Sequence, residues 1–163
     1  MKKTTAFLSI LIAVILGPGL VFADASVPQF KDYPAIGRYQ GKNAPLILTR
    51  DDQMYRTRLR EASRNKPNFA GHYIVATWGC GAECVMGAVI DANTGKVYWL
   101  PGTVCCWGFD VDEKFEPIQV RLDSRLIVFS GERNEKEGDN GEHFYEFKNN
   151  KFVHIESIMK DKK

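Results

Sequence analysis

Hydrophobic and polar residues alternate with a period of two along most of the chain after residue 70. Successive side chains of a β-strand point to opposite faces of a sheet, so this period predicts strands. Short turn segments rich in glycine, aspartate or asparagine separate the alternating runs, which leaves too little chain for the crossovers that parallel neighbours need. The pattern therefore predicts an antiparallel sheet. Its strands fall within residues 71–79, 84–101, 118–131 and 143–156.

One segment before the sheet has the period of a helix instead. Between residues 51 and 65, apolar residues recur at helical spacing on one face, and Pro67 ends the run. Thr49 precedes Asp52 by three residues, which is the spacing of a capping box at a helix start. The predicted fold class is mainly β, in the α+β sense: an antiparallel meander or sandwich-like sheet with one N-terminal helix, stapled by disulfides.

Residues 1–23 have the organisation of a secretory signal peptide. Lysines at positions 2 and 3 precede an apolar run over residues 6–16, a Gly-Pro-Gly breaker follows, and small residues mark a cleavage site after position 23. The apolar run is shorter than the roughly 20 residues that cross a bilayer, so we expect a cleaved signal and no stable membrane anchor. Residues 24–163 are expected to form a single β-rich domain in the periplasm or outside the cell.

The charge balance depends on that leading segment. The chain has 22 basic and 20 acidic residues, and residues 1–23 contain two of the basic ones and no acid, so a cleaved chain has 20 of each. Proteins that bind nucleic acid carry a basic surface, and a neutral chain gives no support to such a partner. Glycine-rich phosphate loops, the G-x-S-x-G elbow and H-E-x-x-H are absent from the sequence. We therefore expect no cofactor, and these absences argue against an enzyme without excluding one.

Four cysteines form two groups that a predicted hairpin brings together. A turn that begins at Asp91 sets Ile90 opposite Val97 and, further along the same ladder, Cys84 opposite Thr103. The second pair of cysteines then lies just beyond the open end of the hairpin, where the first pair also lies. We expect all four sulfur atoms in one corner of the sheet: Cys80, Cys84, Cys105 and Cys106.

The pairing of these cysteines stays open, because four cysteines allow three connectivities. Bridges between the two groups are the favoured interpretation, since a bridge between the adjacent Cys105 and Cys106 conflicts with ordinary disulfide separations. The alternative joins Cys80 to Cys84 and Cys105 to Cys106. The C-x3-C spacing and an oxidising compartment argue against a zinc site of four thiolates. A redox enzyme would be expected to show C-x-x-C at a helix start.

A second candidate site lies on the last predicted hairpin. A two-residue turn at 149–150 sets Tyr145 opposite His154 and His143 opposite Glu156, so that one sheet face carries all four side chains. Two histidines beside a carboxylate can bind a metal ion or share a proton. The favoured alternative is a solvated polar face with no ligand, because antiparallel sheets often expose one side.

Large aromatic residues crowd the cysteine corner, namely Trp78, Trp107 and Phe109. Aromatic side chains held by a rigid scaffold supply contact energy at a small entropic cost. These three residues are therefore candidate anchors for a protein partner, although the edge of an ordinary core has the same composition.

The segments FAGHYIVATWGCGAEC at 69–84 and VIDANTGKVYWLP at 89–101 resemble small exported bacterial proteins that share an FAGHY, WGCG and TGKV pattern. The resemblance brings no activity and no site residue with it. We expect an exported periplasmic binding or inhibitor-type protein, in an envelope-protective or immunity-like role, that occludes a protein partner of the cell envelope. The alternative is an envelope enzyme or metal-binding protein that uses the cysteine corner or the face of His143, His154 and Glu156.

Overall fold

The structure, a computed structural model, describes residues 26–108, 111–112 and 114–160. The predicted signal peptide and Phe109 lie outside these residues. The described chain forms an eight-stranded antiparallel sheet and one short α-helix, α1 (Arg56–Ala62). The strands are β1 (Tyr73–Gly81), β2 (Cys84–Asp91), β3 (Val97–Trp99), β4 (Val104–Cys105), β5 (Ile118–Val120), β6 (Leu126–Arg133), β7 (Gly141–Lys148) and β8 (Lys151–Met159).

The strands follow the order β1-β2-β4-β6-β7-β8, while β3 pairs with β2 and β5 pairs with β6. Every one of these pairs is antiparallel, which confirms the mainly β fold class that the period of two predicts. Strand β4 has only two residues and pairs with β2 on one side and β6 on the other. It therefore joins the two halves of the sheet, and the cysteines lie at this junction.

Apolar residues cover both faces of the sheet. Val89 of β2 and Phe129 of β6 are buried in one cluster, so the two halves of the sheet pack toward each other. Leu59 of α1 and Ile90 belong to a second cluster under the helix. A third cluster, around Phe144, is covered by aromatic residues from the segment before the helix. Burial on both faces explains why strand β6 is buried along six successive residues and does not alternate.

The helix is shorter than the predicted span of 51–65. A 3₁₀ turn at Gln53–Tyr55 precedes α1. The carboxylate of Asp52 accepts hydrogen bonds from the N–H and hydroxyl of Thr49, at 2.6 and 2.8 Å, and from Trp99 Nε1 at 3.0 Å. Asp52 is itself the N-cap of the 3₁₀ turn, so its bond back to Thr49 has the spacing of a capping box but lies one turn before the helix. The buried carboxylate ties this segment to the sheet.

The hairpin registers follow their turns. Ile90 pairs with Val97, as predicted. Further from the turn, Cys84 pairs with Cys105, two residues later than predicted. The chain takes up the two extra residues around Pro101, which has no N–H to donate to a ladder.

Candidate functional site

Both disulfides close within their own group of cysteines. Cys80 is bonded to Cys84, and Cys105 is bonded to Cys106. The favoured prediction, bridges between the two groups, is therefore wrong, and the alternative pairing is the one found. The prediction of a shared corner is confirmed, because Cys84 and Cys105 are cross-strand partners.

The backbone explains why the bridges are local. Cys80 is an extra, unpaired residue between Gly79 and Gly81, and such a bulge re-aims its side chain. Its Cα atom lies 5.1 Å from that of Cys84, within the usual range for a disulfide. At Cys106 the chain turns sharply, with a left-handed φ of 57°. Residue spacing alone could not reveal either the bulge or this turn.

Each bridge joins a buried cysteine to an exposed one. Cys84 and Cys105 are buried in the sheet, whereas Cys80 and Cys106 are exposed. The bridges therefore fasten two neighbouring segments, residues 79–83 at the end of β1 and residues 106–108 after β4, to buried positions of β2 and β4. We call these two segments the corner loops.

Hydrogen bonds also hold the corner loops together. The backbone N–H of Cys106 donates to the carbonyl oxygen of Glu83 at 3.2 Å, which links one loop to the other. The side-chain amide of Asn140 donates to the carbonyl oxygen of Cys106 at 2.9 Å. The second loop is thus fixed at its first residue by one covalent bond and two hydrogen bonds.

Two of the candidate aromatic anchors, Trp78 and Trp107, pack in different clusters, and Phe109 lies outside the described residues. Trp78 is only 7 % exposed and packs against Tyr55 and Trp99 under the helix, with ring centroids 5.3 and 5.8 Å away. Trp107 is half-buried and packs on Phe115, with ring centroids 5.7 Å apart, against the cluster on the other sheet face. Trp107 belongs to the second corner loop and is partly exposed, whereas Trp78 is buried.

The last hairpin keeps its predicted register for four pairs from the turn and then departs from it. Tyr145 pairs with His154, as predicted, but β8 then contains one extra residue, so His143 pairs with Ser157 and not with Glu156. A one-residue bulge moves every following side chain to the other face. The predicted grouping of His143, His154 and Glu156 on one face is therefore wrong, because Glu156 lies on the opposite face.

His143 is completely buried and uses both ring nitrogens. Its Nε2 lies 3.0 and 2.9 Å from the carbonyl oxygens of Gly131 and Asp139, so Nε2 carries the proton and donates. Its Nδ1 then accepts the hydroxyl hydrogen of Ser157 at 2.8 Å. Burial lowers the pKa of His143, and the two backbone carbonyls oppose that shift.

The network continues on both sides of His143. The exposed His154 donates from Nε2 to the hydroxyl oxygen of Ser157 at 2.8 Å. Arg133 donates two hydrogen bonds to Asp139, at 2.7 and 2.9 Å, and this pairing lowers the pKa of the Asp139 carboxyl. Sequence reasoning missed Ser157, Asp139 and Arg133, which no motif marks. Both ring nitrogens of His143 and Nε2 of His154 already make hydrogen bonds in this network, so they are not free to bind a metal ion.

A groove of about 300 Å³ lies at the end of the sheet opposite the corner loops. Tyr73 donates from its hydroxyl to the Asn150 side chain at 3.0 Å, and burial raises the pKa of Tyr73 to about 12. The groove is lined by both apolar and hydrogen-bonding side chains. Sequence reasoning missed it, although the FAGHY segment supplies two of its lining residues. It is lined by Ile36, Ala70, Tyr73, Arg125, Phe147, Lys148, Asn149 and Asn150.

No protein-family model, curated protein or solved structure matches the chain. The resemblance to exported bacterial proteins stays a prediction. Within the described residues, no helix is long and apolar enough to cross a membrane. Function has to be argued from the geometry of the sites themselves.

Proposed function

We propose that this protein is an exported binding protein of the inhibitor type, and that the corner loops are its contact surface. The observation that carries the proposal is the placement of the disulfides. Their cysteines are four and one residues apart in sequence, and both bridges lie at an exposed corner of the sheet. Bridges in such positions restrict the conformation of surface loops more than they raise the stability of the whole fold.

Loop-closure entropy supports this distinction. A bridge stabilises by restricting the unfolded chain, and the effect grows with the length of the closed loop. By this loop-closure relation, the Cys80–Cys84 bridge raises the free energy of unfolding by about 2 kcal/mol, whereas a bridge from Cys80 to Cys106 would raise it by about 3.5 kcal/mol. The pairing found is thus the less stabilising one, and its main effect is to make the corner loops rigid. A rigid loop loses less conformational entropy when it binds.

The side chains of the corner loops suit insertion into a cleft. The exposed positions are small, with Gly79, Gly81 and Ala82 in the first loop and Gly108 in the second. The loops contain no lysine or arginine, and their one charged residue is Glu83. A narrow, rigid and weakly acidic surface fits the concave and basic or neutral cleft of a protein partner. Trp107, half-buried at the base of the second loop, supplies an aromatic contact at the edge.

The compartment in this proposal is the periplasm. Disulfides persist in oxidising compartments, and the pairing of all four cysteines agrees with the export signal predicted for residues 1–23. The partner is a protein of the cell envelope, and no nucleic acid or small cofactor is needed for occlusion.

A second candidate function is an envelope hydrolase, and one observation favours it. Ser157 donates its hydroxyl hydrogen to His143, which is the contact between a nucleophile and its base. A fluorophosphonate probe tests it: labelling of Ser157 that is lost in His143→Gln would support the hydrolase, and an unlabelled Ser157 would reject it.

Photocrosslinking tests the binding proposal in the producing cells. A photoreactive residue replaces Ala82 at the tip of the first corner loop or, as the matched control, Lys151 at the exposed hairpin end on the opposite side of the sheet. We expect one discrete protein adduct from position 82 and none from position 151. Equal adducts from both positions, or no adduct from position 82, would reject the corner loops as the contact surface.

A further inference from the structure

Three possible metal ligands meet beside the corner loops. The Sγ atoms of Cys105 and Cys106 and a carboxylate oxygen of Glu132 all lie within 4.8 Å of one another. Cys105 is buried, Cys106 is exposed and Glu132 is half-buried. Two sulfur atoms and one oxygen atom at this spacing can all bind the same metal ion.

The sheet itself brings these groups together. Cys105 on β4 is the cross-strand partner of Glu132 on β6. The residue before Glu132 is Gly131, where a Cβ atom would overlap the carbonyl oxygen of Cys105. The absence of a side chain at Gly131 therefore lets β6 approach β4 closely. Two of the three ligands thus lie on paired strands and keep their places when the disulfide opens.

The sulfur atoms become ligands only when their bridge is reduced, and this bridge is the more reducible of the two. The Cα atoms of Cys105 and Cys106 are 3.8 Å apart, below the usual range for disulfides, while those of Cys80 and Cys84 are 5.1 Å apart. Strained and exposed disulfides exchange most readily with thiols. The exposed Cys106 offers the sulfur atom that an incoming thiolate can reach.

We propose that Cys105, Cys106 and Glu132 form a redox-gated site for one thiophilic divalent cation of the Zn²⁺ and Cd²⁺ class. A dithiol reductant donates two electrons and two protons, so the Cys105–Cys106 bond breaks, two thiols form and the reductant becomes a disulfide. The cation then displaces the two thiol protons into solvent and binds both thiolates and the Glu132 carboxylate. This inference goes beyond the proposed binding function and does not rest on it.

The donor set selects the class of cation. Thiolates favour soft and borderline ions, and a single carboxylate is compatible with Zn²⁺ and Cd²⁺ but too few for Ca²⁺ or Mg²⁺. Three protein ligands leave a fourth tetrahedral position open to water. The hydrogen bonds from Cys106 to Glu83 and from Asn140 to Cys106 hold the backbone of the exposed ligand in place.

Cadmium titration of the Cys80→Ser, Cys84→Ser double variant tests the site, because only Cys105 and Cys106 remain as thiols. The oxidised and the phosphine-reduced, desalted proteins are titrated with Cd²⁺ while thiolate-to-cadmium absorption in the ultraviolet is followed. We expect no absorption from the oxidised protein and one Cd²⁺ per chain in the reduced protein. Cys106→Ser should abolish the absorption.

Glu132→Gln distinguishes a metal site with three ligands from Cd²⁺ binding by the two thiols alone. Because Glu132 is a direct ligand, its loss should weaken Cd²⁺ binding by at least the roughly tenfold that loss of a group supporting a ligand costs a metal site. Glu135→Gln, at an exposed position on the same segment, is the matched control and should bind as before. Equal binding by Glu132→Gln, or no stoichiometric binding after reduction, would overturn the proposal. Should the double variant fail to fold, the same comparison of glutamate variants in the otherwise unchanged chain decides it.

Discussion

At the scale of single residues, Asp52 is a buried polar group that links the segment before the helix to the sheet. It is only 3 % exposed, and it accepts hydrogen bonds from Thr49 and from the indole of Trp99. Asp52→Ala should lower the free energy of unfolding by about 3 kcal/mol, because buried donors lose a charged acceptor. Denaturant unfolding measures this loss. Asp51→Ala, at an exposed neighbour, should change it by less than about 0.5 kcal/mol, and equal losses would contradict the assignment.

The buried His143 should make the stability of the protein depend on pH. Burial lowers its pKa in the folded protein below the ordinary value of 6.5, so the unfolded chain binds the proton more readily. The stability from neutral His143 is complete above pH 6.5 and is lost as the pH falls below it, by at most about 1.4 kcal/mol per pH unit. The lowered pKa of Asp139 acts only below its ordinary value of 3.8, outside this window.

Unfolding free energies at about pH 7 and about pH 5 check the sign of the His143 effect. The unchanged protein should lose stability on acidification, and His143→Gln should lose less between the same two values. His154→Gln, at the exposed histidine of the same network, is the control and should keep the loss that His143 provides. An identical loss with and without His143 would contradict the buried, neutral state.

The roles of some of these residues could be predicted from the sequence, and those of others could not, for physical reasons. The spacing of Thr49 and Asp52 pointed to a helix start, because capping is a local interaction. Nothing local marked the contact of Asp52 with Trp99, since those residues are far apart in the chain. His143 read as a surface residue because strand alternation does not reveal that both sheet faces are covered.

At the scale of elements, the turn before β3 depends on Gly95. Its φ is +75°, and a Cβ atom there would overlap the carbonyl oxygen of Pro45. Gly138 has a similar φ of +80° with open space around it, so it isolates the cost of the backbone conformation alone. Gly138→Ala should cost about 1–2 kcal/mol. Gly95→Ala should cost roughly 1–3 kcal/mol more, because of the added overlap.

Denaturant midpoints of the two glycine variants test this difference. Equal destabilisation would show that the segment around Pro45 moves aside at no cost, which would contradict the packing described for the turn.

Turns and registers near them were predictable, whereas bulges were not. The turns after Asp91 and at 149–150 set the pairs closest to them correctly, because a turn fixes the register of its own hairpin. Two extra residues around Pro101 and one extra residue on β8 changed these registers further from the turns. A bulge depends on contacts with neighbouring strands and leaves no fixed sequence mark. The histidine face was mispredicted because of the bulge on β8, and the disulfide pairing because of the bulge at Cys80 and the left-handed turn at Cys106.

At the scale of the whole molecule, three apolar clusters hold the sheet together, and neither disulfide links its two halves. The protein should therefore stay folded when both bridges are reduced, with its free energy of unfolding lowered by a few kcal/mol at most, roughly 2 from Cys80–Cys84. Thermal unfolding followed by circular dichroism, with and without reductant, measures this. Complete unfolding on reduction at room temperature would show that the bridges staple the fold.

We propose that the Cys80–Cys84 bridge shapes the first corner loop for a partner, and crosslinking with and without this bridge tests the proposal. The photoreactive residue at position 82 is placed in the unchanged protein and in the Cys80→Ser, Cys84→Ser variant, and the adduct yields are compared at equal amounts of folded protein. We expect the yield to fall about tenfold in the variant, which is equivalent to about 1.4 kcal/mol of lost binding energy. An equal yield from the unbridged loop would contradict it.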